Sequence, residues 1–136
     1  MSLRILHVLD HSLPLFSGYS FRTRAILKAQ QALGWTVAGL TGVRHDGGVP
    51  AEAETVDGID FFRTPGCAKS MLPCIGPLLE ARALRRRTIS LIRDWRPDLV
   101  HIHSPVLNAL GAMGVAQAMG LPVLYEIRAF WEDAAV

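Results

Sequence analysis

The sequence is poor in charge, in cysteine and in long apolar runs, and each shortage excludes a class of protein. Only 19% of its 136 residues are charged and its net charge is +2, which is too small to indicate a nucleic-acid-binding protein. No apolar run approaches the roughly 18 residues of a membrane-spanning helix. The two cysteines, Cys67 and Cys74, come with no export signal, so we expect reduced thiols in the cytoplasm. Half of the residues are hydrophobic, which predicts one folded domain.

The familiar nucleotide and hydrolase motifs are also missing from the sequence. There is no G-x-G-x-x-G after the first predicted strand, no G-x-x-x-x-G-K-[ST] and no G-x-S-x-G. The first strand instead leads into the loop Asp10–Ser20, which contains Gly18. Glycine permits close approach of a ligand to the backbone, and the following helix offers free N–H groups to an anion. The loop is therefore either a phosphate- or sugar-binding segment or an ordinary connection between a strand and a helix.

Hydrophobic periodicity predicts strands that alternate with helices. The predicted strands are Leu3–Leu9, Thr36–Leu40, Ile59–Arg63, Leu99–His103 and a fifth that begins at Leu121. The predicted helices are Phe21–Leu33, Leu78–Trp95 and Val106–Met119, the last preceded by Ser104 as N-cap and Pro105 as its first residue. Residues 42–58 and 64–77 are rich in glycine and proline and predict loops. This order indicates an α/β domain of three layers, with helices on both faces of a mainly parallel sheet.

The stretch Leu121–Asp133 combines a predicted buried strand with groups that can carry chemistry. Glu126 and Arg128 point to the same side because side chains alternate along a strand. Glu132 and Asp133 follow at once, beside the aromatic pair Phe130 and Trp131. Open α/β sheets place their ligands at the carboxyl ends of strands, which favours a binding site here. A rim of surface ion pairs is the alternative interpretation.

Histidines mark the predicted strand Leu99–His103. His101 and His103 share a face because they are two residues apart, and His103 stands at the carboxyl end, where it can reach a substrate. A metal site is conceivable, but no third ligand stands at a usual spacing, so we expect no metal. His7 lies in the middle of the first strand and is interpreted as a core histidine.

One face of the longest predicted helix is strongly basic. Its exposed arginines fall within roughly a third of the helical circumference, opposite an apolar face. They are Arg82, Arg85, Arg86, Arg93 and Arg96. They form either a solvated helix face or a surface for an anionic lipid or a pyrophosphate-linked substrate.

Several segments together resemble the amino-terminal part of glycosyltransferase family 4 enzymes. The first strand and its loop, Arg4–Asp10 with Leu13-Pro14 and Ser17–Tyr19, are similar to the opening of that family. Asp98–Pro105 resembles its D-[VL]-[VI]-H-x-H segment. Tyr125–Asp133 resembles a subgroup that occurs with bacterial exosortase and exopolysaccharide systems. The resemblance covers essentially the whole chain.

The resemblance implies a GT-B arrangement, in which two Rossmann-like domains face each other across a cleft. Residues 1–136 would be the amino-terminal, acceptor-side domain, and the carboxyl-terminal donor domain would lie outside this chain. The implied activity is a hexosyl transfer with retention, from a nucleotide-sugar to a polysaccharide or a lipid-linked glycan. No metal or other cofactor is implied. The implied location is the bacterial cytoplasm, peripherally on the inner face of the membrane, and we expect the fragment alone to be inactive.

The resemblance also implies three groups of site residues. The residues near the donor phosphates are Ser17, Gly18 and Tyr19. The acceptor-side residues are His103, Ser104 and Glu132. The catalytic candidates are Arg128, Glu126 and His103. Many relatives place a histidine at the end of the fifth strand, where this sequence has Glu126 and Arg128, and we expect Arg128 to contact an anionic substrate while Glu126 orients it.

Two other functions remain open from the sequence. One is a non-catalytic, flavodoxin-like module that binds an anion or a glycan. The other is half of a sugar-nucleotide epimerase with the same two-domain architecture. The pattern from His103 to the fifth strand fits the transferase better, and it does so through the resemblance.

Overall fold

The computed structural model describes residues 2–45, 52–66 and 75–128. The strands are β1 (Arg4–Leu9), β2 (Thr36–Thr41), β3 (Ala53–Val56), β4 (Ile59–Arg63), β5 (Leu99–His103) and β6 (Val123–Glu126). The helices are α1 (Gly18–Ala32), α2 (Ile75–Trp95) and α3 (Val106–Ala118). Within the described residues no helix is long and apolar enough to cross a membrane.

The six strands form one sheet in the order β3-β4-β2-β1-β5-β6. All neighbouring pairs are parallel except β3 with β4. Strand residues alternate between two cores. Leu6 and Val8 pack with α2 and α3, whereas Ile5 and Leu9 pack with Leu27 of α1 on the opposite face. The predicted α/β architecture, a mainly parallel sheet between two helical layers, is therefore confirmed.

The prediction that residues 42–58 contain only loops is wrong, because β3 lies within them. Asp57 and Gly58 both have positive φ, of 54° and 74°, and they connect β3 to β4 where Val56 pairs with Ile59. Two central residues with positive φ are typical of a two-residue hairpin turn. The Asp-Gly dipeptide in the sequence indicates such a hairpin turn, but the short edge strand before it was not predicted.

Two helix starts and one helix cap differ from the prediction. α1 begins at Gly18 because Ser17 is its N-cap, with Ser17 Oγ accepting a hydrogen bond of 3.0 Å from Ser20 N. α2 begins at Ile75, since a proline such as Pro77 is tolerated in a first turn, where its missing N–H would have no partner. The N-cap of α3 is Pro105, without a side-chain capping bond, so Ser104 does not cap that helix.

The prediction of a buried fifth strand is also wrong. β6 is the edge strand of the sheet, and Leu124 is half exposed on it. It pairs with β5, so that Val123 lies opposite Val100 and Glu126 lies opposite His103. The charged residues at the end of β6 are therefore not enclosed between two neighbouring strands, and Glu126 accepts a hydrogen bond from Arg22 of α1.

Candidate functional site

The sheet order places a crevice between β1 and β5. From β1 the chain continues outward through β2 and β4 on one side, and later returns to β5 and β6 on the other. The loops after β1 and β5 therefore diverge, and in open α/β sheets ligands bind at such a point. Tyr19 links the segments that follow β1 and β5. Its hydroxyl donates to Ser104 O at 2.8 Å and accepts from Asp10 N at 3.2 Å.

The amino end of α1 opens onto this crevice. The first N–H groups of a helix have no intrahelical acceptor and lie at the positive end of its dipole. Gly18 is the first residue of α1, and no neighbouring atom of the described residues lies within 4 Å of the position a Cβ would take there. The first turn also carries no acidic residue. The predicted residues Ser17, Gly18 and Tyr19 therefore form an open site with the electrostatic character that an anion needs.

Asp10, His11 and Ser17 form a relay of hydrogen bonds beside the same helix end. His11 Nδ1 lies 3.0 Å from Asp10 Oδ2, and His11 Nε2 lies 2.7 Å from Ser17 Oγ. Because a carboxylate only accepts, a proton is assigned to Nδ1. Nε2 shares a hydrogen bond with the Ser17 hydroxyl, which also lies 3.2 Å from Ser20 Oγ. The His11 and Asp10 side chains are 24% and 25% exposed, so a ligand can reach them. Sequence reasoning gave these two residues no role, although an Asp-His pair directly after a strand was visible.

Arg63 anchors the loop that follows β1, and sequence reasoning missed it as well. Its guanidinium is buried at the end of β4 and donates to Ser12 Oγ at 2.6 Å and to Leu13 O at 2.7 Å. Glu54 on β3 accepts from the other side of the guanidinium at 2.5 Å. Burial lowers the pKa of Arg63 from its ordinary value, and the contact with Glu54 opposes this shift. The overlooked strand β3 thus helps to position the loop at the crevice.

Three histidines meet beneath α1. His7 and His101 are register partners on β1 and β5, and His103 lies two residues further along β5 on the same face. The His101 and His103 rings stack with centroids 4.1 Å apart. His103 is 0% exposed, so in this arrangement it does not meet a substrate directly. The interpretation of His7 as a core histidine is confirmed, but its contact with the other two depends on strand order.

The histidines form one continuous chain of hydrogen bonds. Arg128 Nη2 donates to His103 Nδ1 at 2.8 Å, so the proton of His103 is on Nε2, 2.9 Å from His7 Nδ1. His7 Nε2 then donates to Gln30 Oε1 at 2.7 Å. Burial, followed by the neighbouring charge of His101, lowers the pKa of His7 from 6.5 to about 3. The same two causes lower the pKa of His103, so both rings are neutral at pH 7.

The same three rings could hold a metal ion by ligand type and spacing. One nitrogen from each of His7, His101 and His103 lies within 4.8 Å of the others. Neutral imidazoles are common zinc ligands. However, the lone pair of His103 Nδ1 already accepts from the cationic Arg128, and that of His7 Nδ1 accepts from His103. The arrangement fits a hydrogen-bonded network better than a cation site.

Arg128 and Glu126 join β6 to α1. The Arg128 guanidinium donates to Tyr19 O at 3.0 Å and to Thr23 Oγ1 at 2.8 Å, and its Cζ lies 4.1 Å from the centre of the Tyr19 ring. Glu126 accepts from Arg22 at 2.8 Å. Both side chains are on the α1 side of the sheet, as strand alternation predicted.

Glu126 does not orient Arg128 directly. Its carboxylate accepts from Arg22 and lies 3.0 Å from His101 Nε2 and 3.2 Å from His103 Nδ1, the nitrogen that Arg128 also contacts. The backbone N–H of Arg128 donates instead to Ser104 Oγ at 3.1 Å, which explains why Ser104 does not cap α3. The structure therefore brings Arg128, His103 and Ser104 together around Tyr19. Glu132, Asp133, Phe130, Trp131 and the two cysteines lie outside the described residues.

Comparison with known proteins agrees with this architecture. The family described as "Glycosyl transferase 4-like domain" matches residues 17–136, which is most of the sequence. The chain belongs to this family. No curated protein matches the sequence as a relative. The classification as a glycosyltransferase domain follows from this family match, and the solved structures described next agree with a Rossmann-like domain of GT-B type.

Three solved structures share the fold of this chain. The glycosyltransferase SnogD from Streptomyces nogalater is 26% identical, with a TM-score of 0.56, over 93% of this chain and 34% of its own. Sucrose-phosphate synthase from Thermosynechococcus elongatus is 14% identical, with a TM-score of 0.69, and the match covers 93% of this chain and 33% of the synthase. The carboxyl-terminal domain of the PF1911 hydrogenase from Pyrococcus furiosus is 18% identical, with a TM-score of 0.64, and the match covers 91% of this chain and 90% of that domain. The last two likenesses concern the fold alone. The glycosyltransferase domain spans about a third of SnogD and of the synthase.

Proposed function

We propose that this glycosyltransferase domain is the acceptor-side half of a retaining enzyme. It would move a hexose from a nucleotide-sugar to a polysaccharide or a lipid-linked glycan, without a bound metal. The observation that carries the proposal is the open amino end of α1 at the crevice between β1 and β5. The donor domain lies outside residues 1–136 in this proposal, so the domain alone transfers no sugar. The chain spans about a third of SnogD and sucrose-phosphate synthase, which supports such a division.

The donor diphosphate binds at the first turn of α1 in this proposal. The free N–H groups of that turn and the positive helix end stabilise negative charge as the nucleoside diphosphate leaves. Gly18 leaves room for the phosphate, and Ser17 presents its hydroxyl beside it. The cation of Arg128 lies against the same turn, bound to Tyr19 O. Arg128 thus adds positive charge to the site and also fixes the helix.

His103 and Glu126 act through their neighbours rather than on the substrate. His103 holds one nitrogen of Arg128, and Glu126 binds Arg22 of α1 together with His101 of β5. Ser104 lies on the acceptor side of the crevice in this proposal. Its carbonyl oxygen accepts from the Tyr19 hydroxyl, and its hydroxyl accepts from the backbone N–H of Arg128. Glu132 is retained as an acceptor-side residue on the family resemblance. These roles make His103 and Glu126 positioning residues.

The biological setting is part of the proposal. The segment Tyr125–Asp133 resembles the subgroup associated with bacterial exosortase and exopolysaccharide synthesis. We assign the enzyme to exopolysaccharide synthesis on the cytoplasmic side of a bacterial inner membrane. This assignment rests on the resemblance.

Gly18→Val tests the phosphate site in the protein expressed from its complete coding sequence. The valine enters open space, so the fold is preserved, but its side chain occupies the position of the bound phosphate. We expect KM for the nucleotide-sugar to rise at least about tenfold, which corresponds to the loss of about one charge-assisted hydrogen bond.

Gly76→Val is the matched control for this test. Gly76 also lies in a first helical turn, and within the part of the chain that the structure describes no neighbouring atom lies within 4 Å of its Cβ position, but that turn belongs to α2. We expect its KM to equal that of the unmodified enzyme. An unchanged KM in Gly18→Val, in a protein that is folded and active, would refute the proposed phosphate site.

The Asp10–His11–Ser17 relay favours one second candidate, hydrolysis with Ser17 as nucleophile. A carboxylate, an imidazole and a hydroxyl stand in the order used by serine hydrolases. In such a reaction His11 Nε2 takes the hydroxyl proton as Oγ attacks an ester carbonyl and passes it to the alkoxide that leaves as the C–O bond breaks, and water then cleaves the acyl-Ser17 ester. A fluorophosphonate probe followed by peptide mass spectrometry tests it. Labelling of Ser17 that is lost in His11→Ala would support hydrolysis, and no labelling would leave the relay as a support for the helix cap.

A further inference from the structure

The outer face of α3 is apolar and exposed. The helix sequence, VLNALGAMGVAQA, contains no charged residue. Val106 and Leu110 are 62% and 68% exposed, and Met119 at the helix end is also exposed. Exposed apolar surface on a helix without charge indicates contact with something other than water.

The neighbouring helix α2 presents a row of arginines beside that face. Four of its members lie on the exposed side of α2, and the fifth, Arg96, follows the last helical residue, Trp95, with a φ of 54°. Within residues 2–45, 52–66 and 75–128 none of the five makes an ion pair or a side-chain hydrogen bond. They are Arg82, Arg85, Arg86, Arg93 and Arg96. Glu80 of α2 pairs with Arg44, and Asp94 accepts a hydrogen bond of 3.4 Å from the neutral Ser90. The row therefore carries an excess of positive charge that no ion pair among the described residues neutralises.

A groove of about 490 Å³ separates the two helices. Arg85 and Arg93 stand on its α2 side with Ile89 between them, and Leu110 and Met119 stand on its α3 side. The helices approach closely beneath it because Gly111 has no side chain. A Cβ there would lie 2.8 Å from Leu84 Cδ2. The groove thus has an apolar interior and a cationic rim.

We propose that this groove docks the domain on a bilayer that contains anionic phospholipid. The arginine row binds lipid phosphates, and the apolar face of α3 with the groove receives the upper part of an acyl chain. Charge complementarity favours a lipid over a neutral partner, because Arg85 and Arg93 at the rim of an apolar groove match an anionic head group on a hydrocarbon chain, and the other arginines of the row add positive charge nearby. A nucleic acid would use the arginines but would leave the α3 face uncovered.

The docking surface goes beyond the proposed transferase activity and is tested without turnover. Binding of the protein from its complete coding sequence is measured by co-sedimentation with phosphatidylcholine vesicles, with and without about one-third phosphatidylglycerol. We expect binding to the anionic vesicles, and the double variant Arg85→Gln/Arg93→Gln to bind about thirtyfold more weakly, since each arginine near such a surface contributes about a factor of five. Leu110→Asn is expected to weaken binding about tenfold through lost apolar burial.

Matched controls come from α1 on the opposite face of the sheet. Arg24→Gln/Lys28→Gln removes the same charge, and Leu33→Asn replaces a leucine that is 67% exposed, close to the 68% of Leu110. Both are expected to bind as the unmodified protein does. Equal losses in test and control variants would overturn the groove as the docking site, and so would full binding by Leu110→Asn.

Two other occupants give distinct results. If a second copy of the chain covers the groove, ultracentrifugation without lipid will show a dimer that Leu110→Asn dissociates, and the proposal fails. If the arginines bind nucleic acid, a duplex oligonucleotide will bind the protein more tightly than the vesicles do, which also overturns it. Failure of vesicle binding leaves a measured sugar transfer unaffected, so the two proposals are tested separately.

Discussion

Acidification should destabilise the domain through its buried histidines. His7 and His103 are 0% exposed and are neutral when folded. An unfolded histidine takes up a proton near pH 6.5. Because the folded pKa is depressed, the unfolded state binds more protons at low pH. Stability is therefore full above pH 6.5 and is lost as pH falls towards the folded pKa.

The size of the effect follows from the pKa of His7. The pKa of His7 is lowered from 6.5 to about 3 in the folded protein. Between pH 7 and pH 5, His7 therefore takes up a proton in the unfolded state only, and this stabilises the unfolded state. At about 1.4 kcal/mol per pH unit over about 1.5 units, this lowers the free energy of unfolding by about 2 kcal/mol. His101 and His103 shift in the same direction. The loss from the three histidines together is a large fraction of the 5–15 kcal/mol that is typical of the free energy of unfolding of a domain.

The assay is urea unfolding of the domain at pH 7, 6 and 5, followed by circular dichroism. His7→Gln serves as the comparison, because an amide can accept from His103 and donate to Gln30 without titrating. We expect the unmodified domain to lose at least about 2 kcal/mol between pH 7 and pH 5, and His7→Gln to lose about 2 kcal/mol less than that. Equal pH dependence of the two proteins would refute the assigned neutral network.

Other substitutions have expected outcomes of similar clarity. Gly39→Ala should lower the free energy of unfolding by about 1–3 kcal/mol in urea melts, because a Cβ would lie 2.7 Å from the Phe61 ring. Arg63→Met should cost about 2 kcal/mol and increase proteolysis of the Ser12–Leu13 loop that it holds; unchanged cleavage would contradict this role. Arg128→Lys keeps the charge but not the planar fork, so we expect kcat of the complete enzyme to fall about tenfold, and full activity would show that charge alone suffices.

Local sequence patterns predicted most of the architecture. β5 was predicted with its observed bounds, Leu99–His103, because a short run of strand-forming residues follows a helix-ending Pro97. The helices differ from the prediction only at their ends, where capping decides. β3 was missed because four half-exposed residues, Ala53–Val56, have no strong pattern of their own and are held by pairing with β4.

The site was predictable only in part, because it depends on which strands are neighbours. Alternation correctly placed Glu126 and Arg128 on one side of the sheet. No local pattern could bring His7 next to His103, since these residues meet through the pairing of β1 with β5. The relay from Asp10 to Ser17 was hidden for another reason. Its members are close in sequence, but their contact requires the loop conformation that Arg63 fixes.

Nucleoside diphosphate release by the protein from its complete coding sequence tests the central claim most directly. The protein is incubated with a panel of sugar nucleotides, with and without bacterial membrane lipids as the source of acceptor. We predict release from one donor, dependent on the lipids, with a KM raised at least about tenfold in Gly18→Val and unchanged in Gly76→Val. Absence of release from every donor, with or without lipid, would contradict the assignment as a glycosyltransferase and favour a non-catalytic binding module.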